Sequence, residues 1–351
     1  MSSSLDRLVV FIMAGGSGER FWPVSRTATP KHLVKLLGEQ TLLEQTVQRF
    51  DGLVPPERIF ILTNAAQLDT AKEAVPFLPA ANIIAEPAKR DTAPAAALAT
   101  AIARSIRHDS VAALFPADAM IHDTATFRSQ LAEAAGYVAD HDSILTFSIT
   151  PTYPSTGFGY LELEEGTASK QGVVRVNRFV EKPNEPKARS FLEGKRHGWN
   201  AGMFLWQAET FLAECHKHQP DLEKFILEFP KGDHTLYLAE RFPTLTKISV
   251  DYAIMEHASS VVAMVARFDW DDVGSWTALP AHLGVDENGN TLKGKVITLD
   301  ANHNIVVARN RTVALCGVSD LVVVETEDAV LVCHKDEVQK IKHLPLPPEL
   351  K

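Results

Sequence analysis

The chain has 351 residues, which at about 150 residues per domain predicts roughly two domains. Apolar residues make up 45% of the sequence and charged residues 23%, which excludes a disordered polymer, a collagen and a disulfide scaffold. The 35 Lys plus Arg against 44 Asp plus Glu give a formal charge of −9, which argues against a general nucleic-acid surface or an anionic-membrane surface.

The first two-thirds of the chain alternates short apolar runs with helical patterns. The runs predict strands at residues 8–13, 59–62, 111–115 and 144–148, and the patterns predict helices over 41–50 and 95–106. Continuous apolar strands separated by helices indicate a parallel sheet that is covered on both faces. In such sheets, ligands bind beyond the carboxyl ends of the strands.

The region from about 153 to 206 no longer alternates apolar runs with helical patterns, which predicts an inserted, substrate-facing region of mixed character. Residues 157–160 (GFGY) predict a loop, and residues 173–183 predict an extended strand. Further helix is expected over 209–229 and 251–257.

Regular apolar clusters mark the C-terminal region. They are centred near Ile297, Val306, Ala314, Val323 and Leu331, at a spacing of eight or nine residues. Short strands at regular spacing, with turns and no helices between them, predict a small β-coil or β-roll. The polar stretch 286–290 is the expected boundary, so we expect one domain over 1–285 and a second over 291–345.

The three cysteines (Cys215, Cys316 and Cys333) form no CxxC pair, so we expect a reducing, cytoplasmic setting. Arg7 and the apolar run 8–14 superficially resemble a signal peptide, but the run has only seven residues. The glycines that follow it are better explained by the motif described next. No stretch approaches the roughly 20 apolar residues that span a bilayer. We therefore expect neither a membrane nor a nucleic acid as partner.

The strongest chemical motif is AGGSGER, residues 14–20, directly after the first predicted strand. Its glycines let backbone N–H groups converge on a phosphate, and Arg20 adds a planar cation that suits paired phosphate oxygens. Lys31, held behind Pro30, can reach back over the same phosphates. The alternatives are a plain strand-to-helix turn and a solvated lysine. Because Phe21 follows Arg20 and no GK[ST] is present, a Rossmann fingerprint and a P-loop both fail.

Carboxylates follow at two places. Asp118 comes just after the predicted strand 111–115, where phosphates would lie, so a divalent cation such as Mg²⁺ is expected between them. An Asp that caps the next helix is the alternative. The cluster 269–276 offers a partner carboxylate, with Asp272 favoured because a Gly-Ser turn follows it, and Asp271 left open.

Two polar motifs lie in the middle region. The strand ending FVEKP (179–183) should alternate its side chains, which predicts that Glu181 and Lys182 lie on opposite faces. Lys182 suits a second phosphate, and Asn200 suits paired sugar hydroxyls because an amide both donates and accepts. A solvated lysine and a buried turn are the alternatives. The lysines over 335–342 are too sparse for a nucleic-acid patch.

With these motifs in order, the chain resembles the sugar-nucleotide pyrophosphorylases, and within them the mannose-1-phosphate guanylyltransferases. The matching segments are AGGSGERFWPVSRTATPK (14–31), EPAKRDTAPAAALA (86–99), FPADAMI (115–121), GFGY (157–160), FVEKP (179–183), WNAGMF (199–204), SVDYAIMEHA (249–258) and WDDVGSWTAL (270–279). They occur in the family's order and are spread over nearly the whole of residues 1–285, and PKHL (30–33) is more similar to the guanylyl branch than to the thymidylyl or uridylyl branches.

The resemblance implies a Rossmann-like, mixed but mainly parallel α/β sheet with a short left-handed β-helical C-terminal domain. It also implies the Mg²⁺-dependent reaction of GTP with α-D-mannose 1-phosphate to GDP-mannose and pyrophosphate, without a covalent intermediate. Carried over position by position, the residues are Gly15, Gly16, Gly18, Arg20 and Lys31 for the GTP phosphates, Glu86, Thr92, Ala93 and Pro94 for guanosine, Asp118 and Asp272 for the metal, Gly159, Glu181 and Asn200 for the sugar, and Lys182 for its phosphate. Asp251 falls in a matched segment but receives no role.

The chain departs from the wider pattern at Glu19, where small residues or Thr are common, and at Phe21, where Leu is commoner. It lacks the extension of bifunctional members, so we expect no isomerase activity, and the tail of the monofunctional enzymes suggests a homodimer. Two other functions remain open. One is a guanylyltransferase for another sugar 1-phosphate, such as glucose or a heptose, and the other is a non-catalytic subunit that senses GDP-mannose.

Overall fold

The computed structural model describes residues 4–16, 18–166 and 172–350, so that Ser17 of the glycine-rich motif lies outside the described residues. One nine-stranded sheet dominates. Its strands are β1 (Leu8–Met13), β2 (Ile59–Asn64), β3 (Ile83–Glu86), β4 (Val111–Pro116), β5 (Ile144–Ile149), β6 (Tyr160–Leu163), β7 (Val173–Val180), β8 (His197–Gln207) and β9 (Val261–Val265). The predicted strands at 8–13, 59–62, 111–115 and 144–148 are confirmed as β1, β2, β4 and β5.

The strand order is β3-β2-β1-β4-β8-β5-β9-β7-β6. Strands β1 to β4 are parallel to one another, and β5 is parallel to β9. Strand β8 runs antiparallel between β4 and β5, and β7 runs antiparallel to both of its neighbours. The sheet is therefore mixed, and the uninterrupted parallel sheet expected for the first two-thirds is modified by these two reversed strands.

Helices cover both faces of the sheet. They are α1 (Leu42–Gln48), α2 (Leu68–Ala74), α3 (Thr92–Ile106), α4 (Thr124–Asp140), α5 (Glu185–Gly194), α6 (Ala208–His218), α7 (Pro220–Leu227), α8 (Thr235–Arg241) and α9 (Leu279–Leu283). The helix expected over 209–229 is two helices, because Pro220 fits a first turn but lacks the N–H of a helix interior. The segment expected over 251–257 forms a short π-helix, Asp251–Met255.

Alternation along β1 explains why its strand is apolar throughout. Val9 and Phe11 pack in one core with the alanine-rich helix α3, while Val10 and Ile12 pack in a second core with α1 and α4. Both faces of the strand are thus buried, which is the pattern expected of a central strand in an α/β sheet.

The C-terminal strands form two small sheets. The strands are β10 (Thr291–Lys293), β11 (Val296–Leu299), β12 (Ile305–Ala308), β13 (Val313–Cys316), β14 (Leu321–Glu325) and β15 (Val330–His334). Sheet β10-β12-β14-β15 alternates along the chain with sheet β11-β13, and all pairs except β14–β15 are parallel. This alternation matches the coil that the eight- or nine-residue spacing predicts.

A 3₁₀ segment, Lys335–His343, follows β15 and returns the chain to the first domain. Its Val338 and Ile341 share a core with Phe21 and Trp22, which directly follow the glycine-rich motif. The Trp22 indole nitrogen donates to the carbonyl of Leu350 at 3.0 Å. The C-terminal region therefore packs on the loop after β1. Across the described stretches of chain, no helix is both long enough and apolar enough to cross a membrane.

Candidate active site

The glycine-rich turn lies at the carboxyl ends of β1 and β2, where the Ala14 amide donates to the Leu62 carbonyl at 2.7 Å. Gly18 has φ +60°, and a Cβ there would lie 2.6 Å from the backbone nitrogen of Lys31. Only glycine suits both conditions. A Cβ on the exposed Gly15 or Gly16 would meet nothing within 4 Å, so their backbone is open to a ligand.

Lys31 joins the end of β4 to the turn after Trp270. Its ammonium lies 2.9 Å from Asp118 Oδ2 and donates to the carbonyls of Asp272 and Val273 at 2.8 and 3.1 Å. These three acceptors match the three protons of the ammonium. Lys31 thus bridges two segments, and the predicted contact with nucleotide phosphates requires that it exchange one of these partners.

The two candidate metal ligands have carboxyl groups in different electrostatic states. Burial raises the pKa of Asp118, but the charge of Lys31 and its hydrogen bond outweigh burial, so that pKa lies below its ordinary value. For Asp272, burial dominates and the neighbouring Asp271 and Asp118 add to it against the charge of Lys31, which raises the pKa to about 6. Lys31 therefore lowers the pKa of both carboxyl groups, and Asp118 raises that of Asp272.

The geometry separates Asp271 from Asp272. The Asp271 carboxylate accepts the Val273 amide at 2.7 Å and lies 3.1 Å from His282 Nε2, and the other ring nitrogen of His282 lies 3.0 Å from His122 Nε2. Asp271 is therefore occupied in holding the turn. Asp272 instead lies against Gly274, where a Cβ would come within 2.9 Å of its Oδ2.

A second polar group forms around the start of β8. Because Leu114 of β4 pairs with Phe204 of β8, the N-terminal residues of β8 continue past the carboxyl end of β4. The Asn200 amide oxygen accepts the Thr146 hydroxyl at 2.9 Å, and its Nδ2 donates to Asp251 at 3.2 Å. The orientation of the Asn200 side chain is thus fixed from both ends.

Gly159, Glu181 and Lys182 complete this group. The Gly159 carbonyl accepts a hydrogen bond from the backbone N–H of Asn200 at 2.8 Å, and a Cβ on Gly159 would lie 2.5 Å from Glu181 Oε2. The prediction that Glu181 and Lys182 lie on opposite faces is wrong. Strand β7 ends at Val180, Lys182 has φ +43°, and its ammonium donates to Glu181 Oε1 at 2.5 Å. The positive φ ends the alternation.

Asp251 receives a definite place from the structure. Burial and the Glu181 carboxylate raise its pKa to about 7. The Lys182 ammonium is influenced by the Glu181 and Asp251 carboxylates. Burial lowers the pKa of Lys182, but the hydrogen bond and charge of Glu181 outweigh burial, so that pKa lies above its ordinary value. Asp251 could be singled out in the sequence only by its matched segment, since its contact with Asn200 spans 51 residues.

The residues expected at guanosine lie at the end of β3 and the start of α3. Burial, with a contribution from Asp91, raises the pKa of Glu86 to about 8. The Thr92 hydroxyl accepts the Val250 amide at 2.8 Å, so this side chain holds the π-helical segment. Ala93 and Pro94 are buried in the first turn of α3. Glu86 thus ends the edge strand β3, while Thr92 connects this set to the segment that contains Asp251.

Two adjoining clefts connect the glycine turn with the Lys182 region. The small cleft, of about 230 Å³, is lined by Gly18, Glu19, Arg20, Phe21, Lys31, Asp118, Gly274 and Lys342. The large cleft, of about 780 Å³, includes Tyr153, Phe158, Lys182 and Asp272, and shares Arg20 and Gly274 with the small one. The buried Nε of Arg20 has no hydrogen-bond partner among the described residues. The shared wall therefore contains a guanidinium whose Nε is unpaired.

This arrangement defines a nucleotidyl-transfer type of site: a glycine turn, cations and paired carboxylates at the carboxyl edge of an α/β sheet. Residues 9–284 match the model of the family described as nucleotidyl transferase, and residues 294–344 match that of the MannoseP isomerase/GMP-like beta-helix domain. The chain belongs to the nucleotidyl transferase family. The resemblance inferred from the sequence and the predicted fold class are both confirmed.

Similar proteins match over nearly the whole chain. The alginate biosynthesis protein AlgA of Pseudomonas aeruginosa is 36% identical over 350 residues, covering 96% of this chain and 71% of AlgA. Mannose-1-phosphate guanylyltransferase 2 of Escherichia coli O157:H7 is 33% identical, covering 96% and 72%. A solved structure from Thermus thermophilus, described as mannose-1-phosphate geranyltransferase, has a TM-score of 0.87 at 33% identity and covers 96% of this chain and 98% of that one.

Proposed function

We propose that this protein transfers the guanylyl group of GTP to α-D-mannose 1-phosphate, giving GDP-mannose and pyrophosphate. The observation that carries the proposal is the pair of clefts that meet at Arg20, with Lys31 and Asp118 on one side and Lys182 and Asp272 on the other. Members of this family act on a nucleotide and a sugar phosphate. Two clefts that share Arg20 and are each lined by a lysine fit that pair of substrates.

The reaction asks the protein to bring two anions together. A sugar phosphate is already ionised at neutral pH, so it can attack the α-phosphorus in line without a general base. The rate then depends on alignment and on neutralising charge at the α-phosphate and the departing pyrophosphate. Arg20 lies where the two clefts join, so we assign it to the α-phosphate, and Lys182 to the phosphate of the sugar.

A divalent metal is generally used by this family, and we propose Mg²⁺ held by Asp118 and Asp272. The described residues contain no cluster of three or more His, Cys, Asp or Glu side chains fit to hold a metal. Two carboxylates fit Mg²⁺ nonetheless, since it is usually bound by one or two carboxylates, waters and substrate phosphates. When bound, it would neutralise phosphate charge. Asp118 and Asp272 would orient it, and Lys31 would keep Asp118 ionised.

The remaining assignments follow the positions of the side chains. We propose that Gly159, Glu181 and Asn200 bind the sugar hydroxyls, because Glu181 presents acceptors and the Asn200 amide is held in one orientation. Gly15, Gly16 and Gly18 would offer backbone amides to the nucleotide phosphates. Glu86, Thr92 and Pro94 would line the guanosine pocket, a role that follows from the family resemblance.

We propose the same domain division as before, 1–285 and 291–345, which the separate matches at 9–284 and 294–344 support. A homodimer is proposed because Ile297, Leu299 and Val332 of the C-terminal strands are each 62% exposed, and exposed apolar side chains favour association. A cytoplasmic location is proposed because all three cysteines are free thiols.

The test is a matrix of nucleoside triphosphates and sugar 1-phosphates, with pyrophosphate release measured in Mg²⁺ and in excess chelator. We expect release with GTP and mannose 1-phosphate that stops on chelation. Higher turnover with glucose or heptose 1-phosphate would favour the other guanylyltransferase. GDP-mannose binding without turnover would favour a sensing subunit.

The metal assignment has its own test. Asp118→Ala and Asp272→Ala should each lower Mg²⁺-dependent turnover by at least about 100-fold, because each removes a charge that positions the reacting phosphates. The Asp286→Ala variant is the matched control, because that carboxylate caps a turn at the domain boundary. Near-normal turnover of both Asp118 and Asp272 variants would refute the assignment.

A further inference from the structure

The C-terminal 3₁₀ segment, Lys335–His343, contributes side chains to the clefts of the first domain. This is the run of lysines that is too sparse to be a nucleic-acid patch. The structure packs it against the short 3₁₀ turn Glu19–Phe21 that follows the glycines. Lys342 lines the small cleft, and Gln339 lines the large one. A segment of the second domain thus forms one wall of the proposed active site.

The period of the segment explains which side chains point where. A 3₁₀ helix has three residues per turn, so side chains at i and i+3 lie above one another. Val338 and Ile341 form the buried row. Gln339 and Lys342 form the next row and face the clefts. The third row contains Lys340, which is ion-paired with Glu337. Two lysines on one short segment therefore have different surroundings.

The charges of the small cleft leave Lys342 available for an anion. The cleft has three cations, Arg20, Lys31 and Lys342, and two carboxylates, Glu19 and Asp118. Lys31 and Asp118 already form an ion pair at 2.9 Å. Lys342 has no ion-pair partner within residues 4–16, 18–166 and 172–350. After the internal pair, the two remaining cations face one carboxylate, which favours a bound anion.

We propose that Lys342 binds the terminal phosphates of the nucleotide and the pyrophosphate that leaves. The inference rests on the proposed function, because it follows from the direction of the reaction. In an in-line transfer the leaving group departs on the side opposite to the attacking phosphate. Lys182 lies in the large cleft, Arg20 at the junction and Lys342 in the small cleft beyond it. The small cleft is therefore the pyrophosphate end.

The variants are Lys342→Ala, Lys342→Arg and, as the matched control, Lys340→Ala on the same segment. Binding of inorganic pyrophosphate is measured by calorimetry, and KM is measured for GTP and for mannose 1-phosphate. We expect Lys342→Ala to weaken pyrophosphate binding and to raise the KM for GTP about tenfold, as loss of one charge-assisted hydrogen bond predicts. The KM for mannose 1-phosphate should stay within about twofold. Lys342→Arg should restore most of the loss, and Lys340→Ala should resemble the wild type.

The inference is overturned if the wild type does not bind pyrophosphate, if Lys342→Ala equals Lys340→Ala, or if the loss falls on mannose 1-phosphate alone. Failure of the proposed function looks different: the wild type then forms no GDP-mannose, while its pyrophosphate binding still depends on Lys342. The thermal midpoint of each variant checks folding, and Lys342 is exposed, so both substitutions should leave that midpoint unchanged.

Discussion

Gly159 provides a direct test of the sugar end of the site, because a single methyl group there should displace a carboxylate. The Cβ of Gly159→Ala would lie 2.5 Å from Glu181 Oε2 and 3.0 Å from Phe179 Cε1. Glu181 is the end of a flexible side chain, so it can move away. When it moves, the 2.5 Å hydrogen bond that it accepts from Lys182 is lost or redirected. The methyl group thus disturbs two proposed substrate contacts.

The expected magnitude follows from one charge-assisted hydrogen bond in the complex. Such a bond contributes about 1.5–3 kcal/mol, which is about 10- to 150-fold in the specificity constant. Folding should suffer less. The Phe179 ring must shift by a few tenths of an ångström, and overpacking of this kind costs about 1–2 kcal/mol, or a few degrees in the unfolding midpoint.

The assay is steady-state pyrophosphate release with each substrate varied in turn. Gly159→Ala should raise the KM for mannose 1-phosphate, or lower its kcat/KM, and leave the KM for GTP unchanged. Gly194→Ala is the control, since a Cβ there meets nothing within 4 Å. A Gly159→Ala enzyme with normal kinetics for the sugar phosphate would show that Glu181 does not contact the sugar.

Three other outcomes are expected. Gly18→Ala should lower the free energy of unfolding by about 2–4 kcal/mol in urea titration, because Gly18 has a positive φ and a Cβ there would meet the Lys31 backbone. The control Gly38→Ala, where a Cβ meets nothing within 4 Å, should change the free energy of unfolding by under about 1 kcal/mol. Equal effects of the two substitutions would contradict the reasoning. Asp272, with its pKa raised to about 6, becomes protonated as the pH falls below that value, and a metal ligand must be ionised. The half-saturating Mg²⁺ concentration should therefore be higher at pH 5.5 than at pH 7.5. An identical Mg²⁺ requirement at the two pH values would argue against Asp272 as a ligand. Lys182→Ala should raise the KM for mannose 1-phosphate by about tenfold or more, and a change confined to GTP would misplace the second phosphate.

The sequence was sufficient for features that depend on local chemistry. Strands β1 and β4 are apolar over their whole length because both faces are buried, and this pattern is visible without the structure. The glycine motif was recognisable as a pattern directly after an apolar strand, but the steric reason for Gly18 lies in the fold, since a Cβ there would lie 2.6 Å from the Lys31 nitrogen. The order of the strands could not be predicted in this way, because the insertion of β8 between β4 and β5 joins segments that are far apart in the chain.

Features that depend on distant partners could not be predicted. Asp271 differs from Asp272 in its contact with His282, and no motif marks that histidine. Lys182 lies beyond the end of β7 and has φ +43°, so the alternation of that strand does not extend to it. The occupation of Lys31 by Asp118 joins residues 87 positions apart. The spacing of residues along the chain does not indicate such long-range contacts.

The core that Phe21 and Trp22 share with Val338 and Ile341 has a consequence for how the molecule melts. Residues just after the glycine turn lose their apolar cover whenever the C-terminal segment detaches, so local opening at one end of the chain exposes the other. Amide hydrogens of the two segments should consequently exchange in a single cooperative step. A tag, a cleavage or a sequence change near Leu350 should therefore affect the chain just after the glycine-rich turn, although the two are more than three hundred residues apart in the chain.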